Sequence, residues 1–416
     1  MTYIHRNMEP VFQSLSREYP AVLITGPRQT GKTTMLQKLA REEGRNRIYV
    51  SLDNIKDRVL AQKDPEMFFQ LHKPPIFIDE VQYAPELFTY IKIHIDTNHR
   101  PGDFWLTGSQ LFKLMRGVQE SLAGRIALLQ LLPLSQNETE APYKIPGPVL
   151  SEPFKPDLDY LMEKQKQRKP AGLREIFSRI FTGGMPALVS GQYSNRENFY
   201  QSYINTYLDR DIKDLSGTIN SLKFYTFLVA VAARTGQLVN YASIAEESDI
   251  DHTTAKNWLR ILETLGIIFY LHPYSNNTLK RTIKTPKLYF YDSALAVYLT
   301  KWSSVETLQN GAMDGAFLEN FAVSEIVKSY YNAGLEPFVY YYRDRDNKEI
   351  DLILERDGTL FPLEIKKTAA PESRLTRVFS SLDNVPLRRG TGAILCMAEK
   401  LSAFDTANLI VPIRLL

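Results

Sequence analysis

Three groups of residues have the types and spacing to do chemistry. The first is GPRQTGKT at 26–33, which fits G-x-x-x-x-G-K-[ST]. Gly26 and Gly31 let the backbone wrap phosphate oxygens, and Pro27, Arg28, Gln29, Thr30 and Thr34 fill out the cradle. Lys32 would neutralise the β- and γ-phosphates, and Thr33 would ligate Mg²⁺. The second group follows at two strand ends. In PPIFIDEVQ (74–82), Asp79 would complete the Mg²⁺ shell and Glu80 would orient or deprotonate an attacking water. In DFWLTGSQLF (103–112), Thr107 or Ser109 can sense the γ-phosphate, and Ser109 is equally suited to cap a helix.

The third group lies in EIDLILERDGTLFPLEIKKT (349–368). Asp357-Gly358 suits a two-residue hairpin turn, because both residues tolerate positive φ. That register sets Asp351 opposite Glu364 and Glu349 opposite Lys366. Like charges directly opposed destabilise a sheet. A cation between them removes the conflict: two converging carboxylates have the hard oxygens that Mg²⁺ or Mn²⁺ prefers. Lys366, two residues from Glu364, shares its face and can stabilise a pentavalent phosphate anion. A solvated outer face carrying Asp351 and Glu364, with Lys348 and Lys367 as partners, satisfies the same pattern.

The elements that position these groups can be read from the chain. AVLIT (21–25) is a buried strand that runs through the phosphate loop into a helix. A helix ending in SLAGR brings Arg125 to a helix-to-strand junction before IALLQLLPL. There it can reach a neighbouring subunit's γ-phosphate, which implies a homo-oligomer, or it can simply complement helix-end carbonyls. Residues 136–170 have loop and linker composition. LREIFSRIFTGGMPALV (173–189) reads as helix, Gly-Gly break, helix. LVNYASIAEESDIDHTTAKNWLRILETLGIIFYL (238–271) reads as helix-turn-helix, with Ala255, Trp258, Leu259, Leu262 and Leu265 on one face and Thr253, Lys256, Asn257 and Arg260 on the other. Asp251 can cap the second helix. GIIFYL and KLYFYD then flank a polar tip that includes Lys280 and Arg281.

Composition narrows the class. The 416 residues carry a formal net charge of only +3, so any nucleic-acid surface must be a local patch. Residues 256–291 are such a patch, with six lysines and arginines against one acid, Glu263. This favours contact with DNA phosphates and a major groove, although such modules also bind proteins. The single cysteine, Cys396, excludes an internal disulfide and a multi-cysteine metal site. No apolar run approaches the length of a membrane span, and MTYIHRNMEPVF has no signal-like core. We expect a cytoplasmic protein with no membrane partner.

The order of phosphate loop, DE-ending strand, sensor strand and helix-end arginine resembles the AAA+ ATPases. No N-K-x-D guanine signature is present, so ATP is favoured over GTP. In that resemblance the Gly-Gly segment belongs to a helical lid. Family lids often carry an arginine near the break, and here Met185-Pro186 stands there instead. Asp351, Glu364 and Lys366 resemble the PD-(D/E)xK nuclease constellation, and Glu319 matches the additional helix acid many such domains carry as a metal ligand. The whole chain resembles a bacterial and archaeal group of AAA+ ATPases with a C-terminal domain of unknown function related to restriction endonucleases. GPRQTGKTT, FIDEVQ, LTGSQ, SLAGR, YLDRDI and EIKKT carry that resemblance.

The expected architecture is α/β: a P-loop ATPase domain (1–140), a helical lid (141–215), a winged helix-turn-helix (216–305) and a restriction-endonuclease-like α/β domain (306–416). The expected cofactors are ATP and Mg²⁺, with Mn²⁺ an option at the nuclease-like site. Three activities fit: an ATP-driven DNA-contacting nuclease, a non-cleaving ATP-dependent binding protein, and a kinase. Adjacent Asp79 and Glu80 suit water activation better than transfer to a bound acceptor.

Overall fold

The structure, a computed structural model, describes residues 3–109, 122–140, 147–208, 212, 220–275, 285–344 and 346–416. The N-terminal domain is built on a five-stranded parallel sheet in the order β2-β3-β4-β1-β5. These strands are β1 (Ala21–Thr25), β2 (Ile48–Ser51), β3 (Ile76–Asp79), β4 (Phe104–Thr107) and β5 (Ile126–Gln130). Strands β1, β3 and β4 are buried along their whole length, because helices cover both faces. Helix α1 (Glu9–Glu18) packs Phe12 against Trp105, and α2 (Lys32–Glu42) adds Met35, Leu36 and Leu39 to the same layer. The phosphate loop, Asp79 and Thr107 therefore share one edge, where parallel strands present ligand-binding ends.

Within the stretch expected to form the lid (141–215) lie α3 (Leu173–Thr182) and the Gly183-Gly184 break. Both glycines are obligatory. A Cβ on Gly183, at φ +77°, would lie 2.4 Å from Asp292, and one on Gly184 would lie 2.3 Å from the Leu134 carbonyl. Helices α4 (Ser221–Ala232), α5 (Tyr241–Glu247) and α6 (His252–Thr264) follow. Asp251 caps α6 by accepting from the Thr254 amide at 2.9 Å. The apolar face of α6 is buried as its spacing predicts, with Trp258 edge-on to Phe224 and Phe227 of α4.

The largest departure from expectation comes next. Strands β6 (Ile268–Pro273) and β7 (Lys287–Phe290) form an antiparallel pair, but this pair is not a separate module. It joins the C-terminal sheet, because β6 pairs in parallel with β8 (Val339–Arg343) through His272↔Tyr340 and Pro273↔Tyr341. The remaining strands are β9 (Glu349–Arg356), β10 (Thr359–Lys366), β11 (Arg388–Arg389), β12 (Gly392–Cys396), β13 (Ser402–Asp405) and β14 (Asn408–Pro412). The sheet has nine strands in the order β13-β14-β12-β10-β9-β8-β6-β7, with β11 beside β10. The sheet thus draws strands from both sides of the expected division at 305/306.

Helix α7 (Asp314–Asn332) crosses that sheet against β7 and β10. Its pattern predicts one apolar face, yet it is buried nearly all round, including Asn320, Ser324, Glu325 and Lys328. It is enclosed by the sheet on one side and by the lid and the N-terminal domain on the other. Buried polar groups must find partners, and Asn320 shows how. Its Oδ1 accepts from Thr235 Oγ1 at 2.6 Å and from the Phe290 amide at 2.7 Å, and its Nδ2 donates to the Phe290 carbonyl at 3.1 Å. Asn320 thereby completes the open edge of β7. Among the described residues no helix is long and apolar enough to cross a membrane.

Asn320→Ala would strand both Phe290 groups in the interior. We expect a loss of about 1–3 kcal/mol, read as a lower urea midpoint with an unchanged slope. An unaltered midpoint would show that the helix–hairpin junction does not depend on this residue.

Candidate functional site

The nucleotide site starts from the turn that only glycine permits. Gly26 has φ +133°, and a Cβ there would fall 2.2 Å from the Leu131 carbonyl. Gly31, at φ +92°, opens α2 with no side-chain cap, which leaves helix N–H groups directed at the loop. Lys32 donates to the carbonyls of Gly26 at 2.9 Å and Pro27 at 2.7 Å. Its ammonium is therefore held inside the loop it is meant to serve. Thr30 also donates to Pro27, at 2.9 Å.

Asp79 ends β3 beside this loop. It accepts from Thr33 Oγ1 at 2.8 Å, from Thr107 Oγ1 and from the Tyr49 hydroxyl at 3.2 Å. Burial raises its pKa, and the hydroxyls offset this only in part. Thr33 and Asp79 are hard oxygen donors brought together at the mouth of the loop, a pairing that fits Mg²⁺. Glu80 sits at φ +58°, an unusual conformation for a side chain of its size. That turn directs its carboxylate toward Gln82, toward Ser109 Oγ at 3.3 Å and toward Arg28 at 3.9 Å. Ser109 thus acts on Glu80, and the helix it was expected to cap lies outside the described residues.

A cavity of about 690 Å³ opens over the loop. Arg6, Arg28, Lys32, Lys38 and Arg41 line it, opposed by Asp53 and Glu80. This cationic excess suits a polyphosphate. Its other walls went unread in the sequence. Tyr3, Ile4 and Arg6 come from the segment before α1, and Pro186, Ala187 and Tyr193 from the lid. Pro186 occupies the place where a lid arginine was sought, within 3.9 Å of a Cβ on Gly31. Arg6 is buried and donates to Thr30 O and Leu132 O, each at 2.7 Å, and to Glu138 at 2.9 Å. The only local sign was an arginine followed three residues later by a glutamate, and Glu138 lies far along the chain.

Arg125 lies at the other end of the sheet. Ile126 pairs with Ala21, the first residue of β1, so Arg125 cannot reach the cavity of its own chain. It is partly exposed and binds Asp96 at 2.5 Å. On α6, Thr253, Lys256, Asn257 and Arg260 are exposed on one face. Lys280 and Arg281 lie outside the described residues, as do Asp209, Arg210 and Asp211 of YLDRDI.

The C-terminal acidic centre is set by the hairpin register. Both Asp357, at φ +50°, and Gly358, at φ +70°, have positive φ, as a two-residue turn of this hand requires. β9 and β10 then pair from Arg356↔Thr359 to Leu352↔Leu363. At the next position the ladder gives way to side chains. Asp351 Oδ2 accepts from the Ile365 amide at 2.9 Å, and Glu364 Oε1 lies 3.4 Å from the Asp351 amide. Lys366 stands between the carboxylates, 2.9 Å from Asp351 Oδ2 and 2.6 Å from Glu364 Oε2. Burial, reinforced by Asp351, pushes the Glu364 pKa up to about 8, although Lys366 opposes the shift.

Two expectations need correction. Glu349 does not engage Lys366: it binds Lys287 at 2.6 Å and approaches Arg343 at 3.8 Å. Glu319, expected as a further ligand beside Asp351 and Glu364, is engaged by other groups in this structure. Its Oε1 accepts from Lys287 at 3.1 Å and from the Tyr289 hydroxyl at 2.6 Å. Among the described residues no three acidic, histidine or cysteine side chains converge as a metal cluster. Lys287, counted from sequence toward a DNA-facing patch, is buried in this centre. Asp351 and Glu364 still fit a divalent ion, since their oxygens converge on one position now met by a single positive charge.

Comparison with known proteins agrees with the N-terminal site. Residues 18–140 match the AAA domain family, 173–306 a domain of unknown function (DUF8612) and 314–416 another (DUF4143). Uncharacterized proteins of Mycobacterium tuberculosis and Mycobacterium bovis are each 28% identical over 374 residues, covering 89% of this chain and 75% of theirs. One from Haemophilus influenzae is 21% identical, covering 82% of this chain and 81% of its own. Similar solved structures include the Walker-type ATPase PABY2304 of Pyrococcus abyssi, at 14% identity and TM-score 0.43 over 72% of this chain and 98% of that one. The RuvB Holliday junction branch migration motor of Thermotoga maritima aligns with 15% identity and TM-score 0.32, over 64% and 89%. The N-terminal domain is an AAA-type P-loop ATPase domain, which implies a nucleotide as its ligand.

Glu364 makes the acidic centre sensitive to pH. Its folded pKa lies above the unfolded value, so its contribution is full below about pH 4.5 and is lost as pH rises through about 8. In metal-chelated buffer, the wild-type Tm should fall between pH 5 and 9 relative to Glu364→Gln. Parallel profiles would remove the carboxyl group from the account.

Proposed function

We propose that this chain is an ATP-hydrolysing protein that acts on DNA through a winged helix and a divalent-cation-dependent nuclease centre. The observation that carries the nuclease reading is the convergence of Asp351, Glu364 and Lys366 at the end of one hairpin. In the ATPase domain, Lys32 meets the phosphates, Glu80 holds the attacking water, and Arg28 offers a second cation beside it. Thr33 and Asp79 would hold Mg²⁺. At the second centre Asp351 and Glu364 would hold the divalent ion, whose chemistry is to polarise a phosphodiester. Lys366, with 35% of its side chain exposed, can turn from the carboxylates toward a phosphate oxygen. The helix-turn-helix and its hairpin support DNA contact through Thr253, Lys256, Asn257 and Arg260. Arg125 would reach a second copy of the chain by leaving Asp96.

A second reading is favoured by one specific observation. Glu319 is already committed to Lys287 and Tyr289. A centre lacking its helix acid can bind DNA or a protein partner without cutting it.

Lys32→Ala should lower ATP hydrolysis by about 10²-fold or more. Asp351→Asn and Lys366→Ala should each abolish Mn²⁺-dependent cleavage of single- or double-stranded DNA and leave ATP hydrolysis intact. Cleavage that persists in both variants would refute the assignment. Wild-type protein that binds DNA but never cuts it would favour the second reading. For the helix, changing Lys256 and Arg260 together to Ala should flatten the log–log salt dependence of DNA binding by about 2. An unchanged slope would place DNA elsewhere.

A further inference from the structure

The acidic centre holds two lysines, and only one belongs to the hairpin motif. Lys366 bridges Asp351 and Glu364 at 2.9 and 2.6 Å. Lys287 bridges a second carboxylate pair, Glu319 at 3.1 Å and Glu349 at 2.6 Å. The second bridge is assembled from three separate elements: Lys287 on β7, Glu319 on α7 and Glu349 on β9. The two pairs feel one another, since Asp351 acts electrostatically on both Glu319 and Lys287.

The lysines differ in freedom. Lys366 closes a strand and is 35% exposed, so its ammonium has a route to water. Lys287 is 6% exposed, lies near the face of Tyr341 and is fixed by backbone pairing to Leu271 and Leu238. At that exposure its ammonium has little room to turn from Glu319 and Glu349 toward water. A divalent ion could replace the first ammonium but not the second.

We infer that Lys287 is the resident cation of this centre, filling from the hairpin of the helix-turn-helix the place a second divalent ion would take. The centre then accepts one such ion, at Asp351 and Glu364. Lys287 is a positioning residue: it sets the number of ions and holds Glu319 and Glu349 apart from the reacting position. This inference rests on reading Asp351 and Glu364 as a cation site.

The test counts bound Mn²⁺ on the full chain, without nucleotide, by equilibrium dialysis with electron paramagnetic resonance. Any ion held by Thr33 and Asp79 is common to all variants and cancels in the comparison. Lys287→Met should bind one Mn²⁺ more than wild type, and adding Glu319→Gln should remove it. ATP hydrolysis and circular dichroism establish that each variant is folded. A folded Lys287→Met with the wild-type count overturns the inference. Glu319→Gln alone provides a second arm that leaves Lys287 in place. It should leave Mn²⁺ affinity unchanged, whereas a true ligand or an essential supporting group would cost roughly 10- to 100-fold. A loss of that size also overturns the inference. Separately, Asp351→Asn should bind one ion fewer than wild type. If it does not, the cation reading of Asp351 and Glu364 fails, whatever the outcome at Lys287.

Discussion

The ammonium of Lys287 is buried at 6% exposure between Glu319 and Glu349, and the interior tolerates it because both carboxylates meet it. Five residues on, the same segment buries Asp292, which accepts from the Gly184 amide at 3.0 Å and the Tyr200 hydroxyl at 2.6 Å. Removing both carboxylates would leave the Lys287 ammonium uncompensated, and removing the Tyr200 hydroxyl would leave a buried Asp292 oxygen without its donor. From Lys287, the first residue of β7, to Asp292 just beyond it, an extended chain spans roughly 16 Å. One end is committed to the acidic centre and the other to the lid.

That commitment explains why the C-terminal domains form one body. β6 and β7 complete the C-terminal sheet, Asn320 pins α7 to the outer edge of β7, and one apolar core runs from Leu132 to Leu416. The lid is held from two directions. The Gly184 carbonyl accepts from the Leu134 amide at 2.7 Å while its amide binds Asp292. Two residues later Pro186 lines the nucleotide cavity. A shift of Pro186 cannot be confined to the lid, because the segment carrying it is bonded to the N-terminal domain and to the hairpin.

The sequence made some of this readable and hid the rest for a physical reason. The phosphate loop and the β9–β10 register follow from local backbone demands: a turn only Gly26 can make, and positive φ at Asp357 and Gly358. Such demands constrain neighbours in the chain, so they leave a motif. The apolar face of α6 was legible from spacing alone. By contrast, Arg6 meets Glu138 and Lys287 meets Glu319 across long stretches of chain, and a distant ion pair imposes no period. Lys287 read as one basic residue among several in a presumed DNA-facing patch, because charge counts do not report burial.

Three groups of acids in this protein meet three kinds of partner, and the kind bears on what each can bind. Asp79 is satisfied by the hydroxyls of Thr33, Thr107 and Tyr49, which donate hydrogen bonds without cancelling its charge. Negative charge therefore remains to be met by a cation, beside a loop that holds phosphates. Asp351 and Glu364 share Lys366, which is half a remedy: two carboxylates face one ammonium that has a path to solvent. Glu319 and Glu349 share Lys287, whose own side chain is only 6% exposed. From hydroxyl to part-exposed lysine to buried lysine, the same electrostatic demand is met by a partner with progressively less access to water.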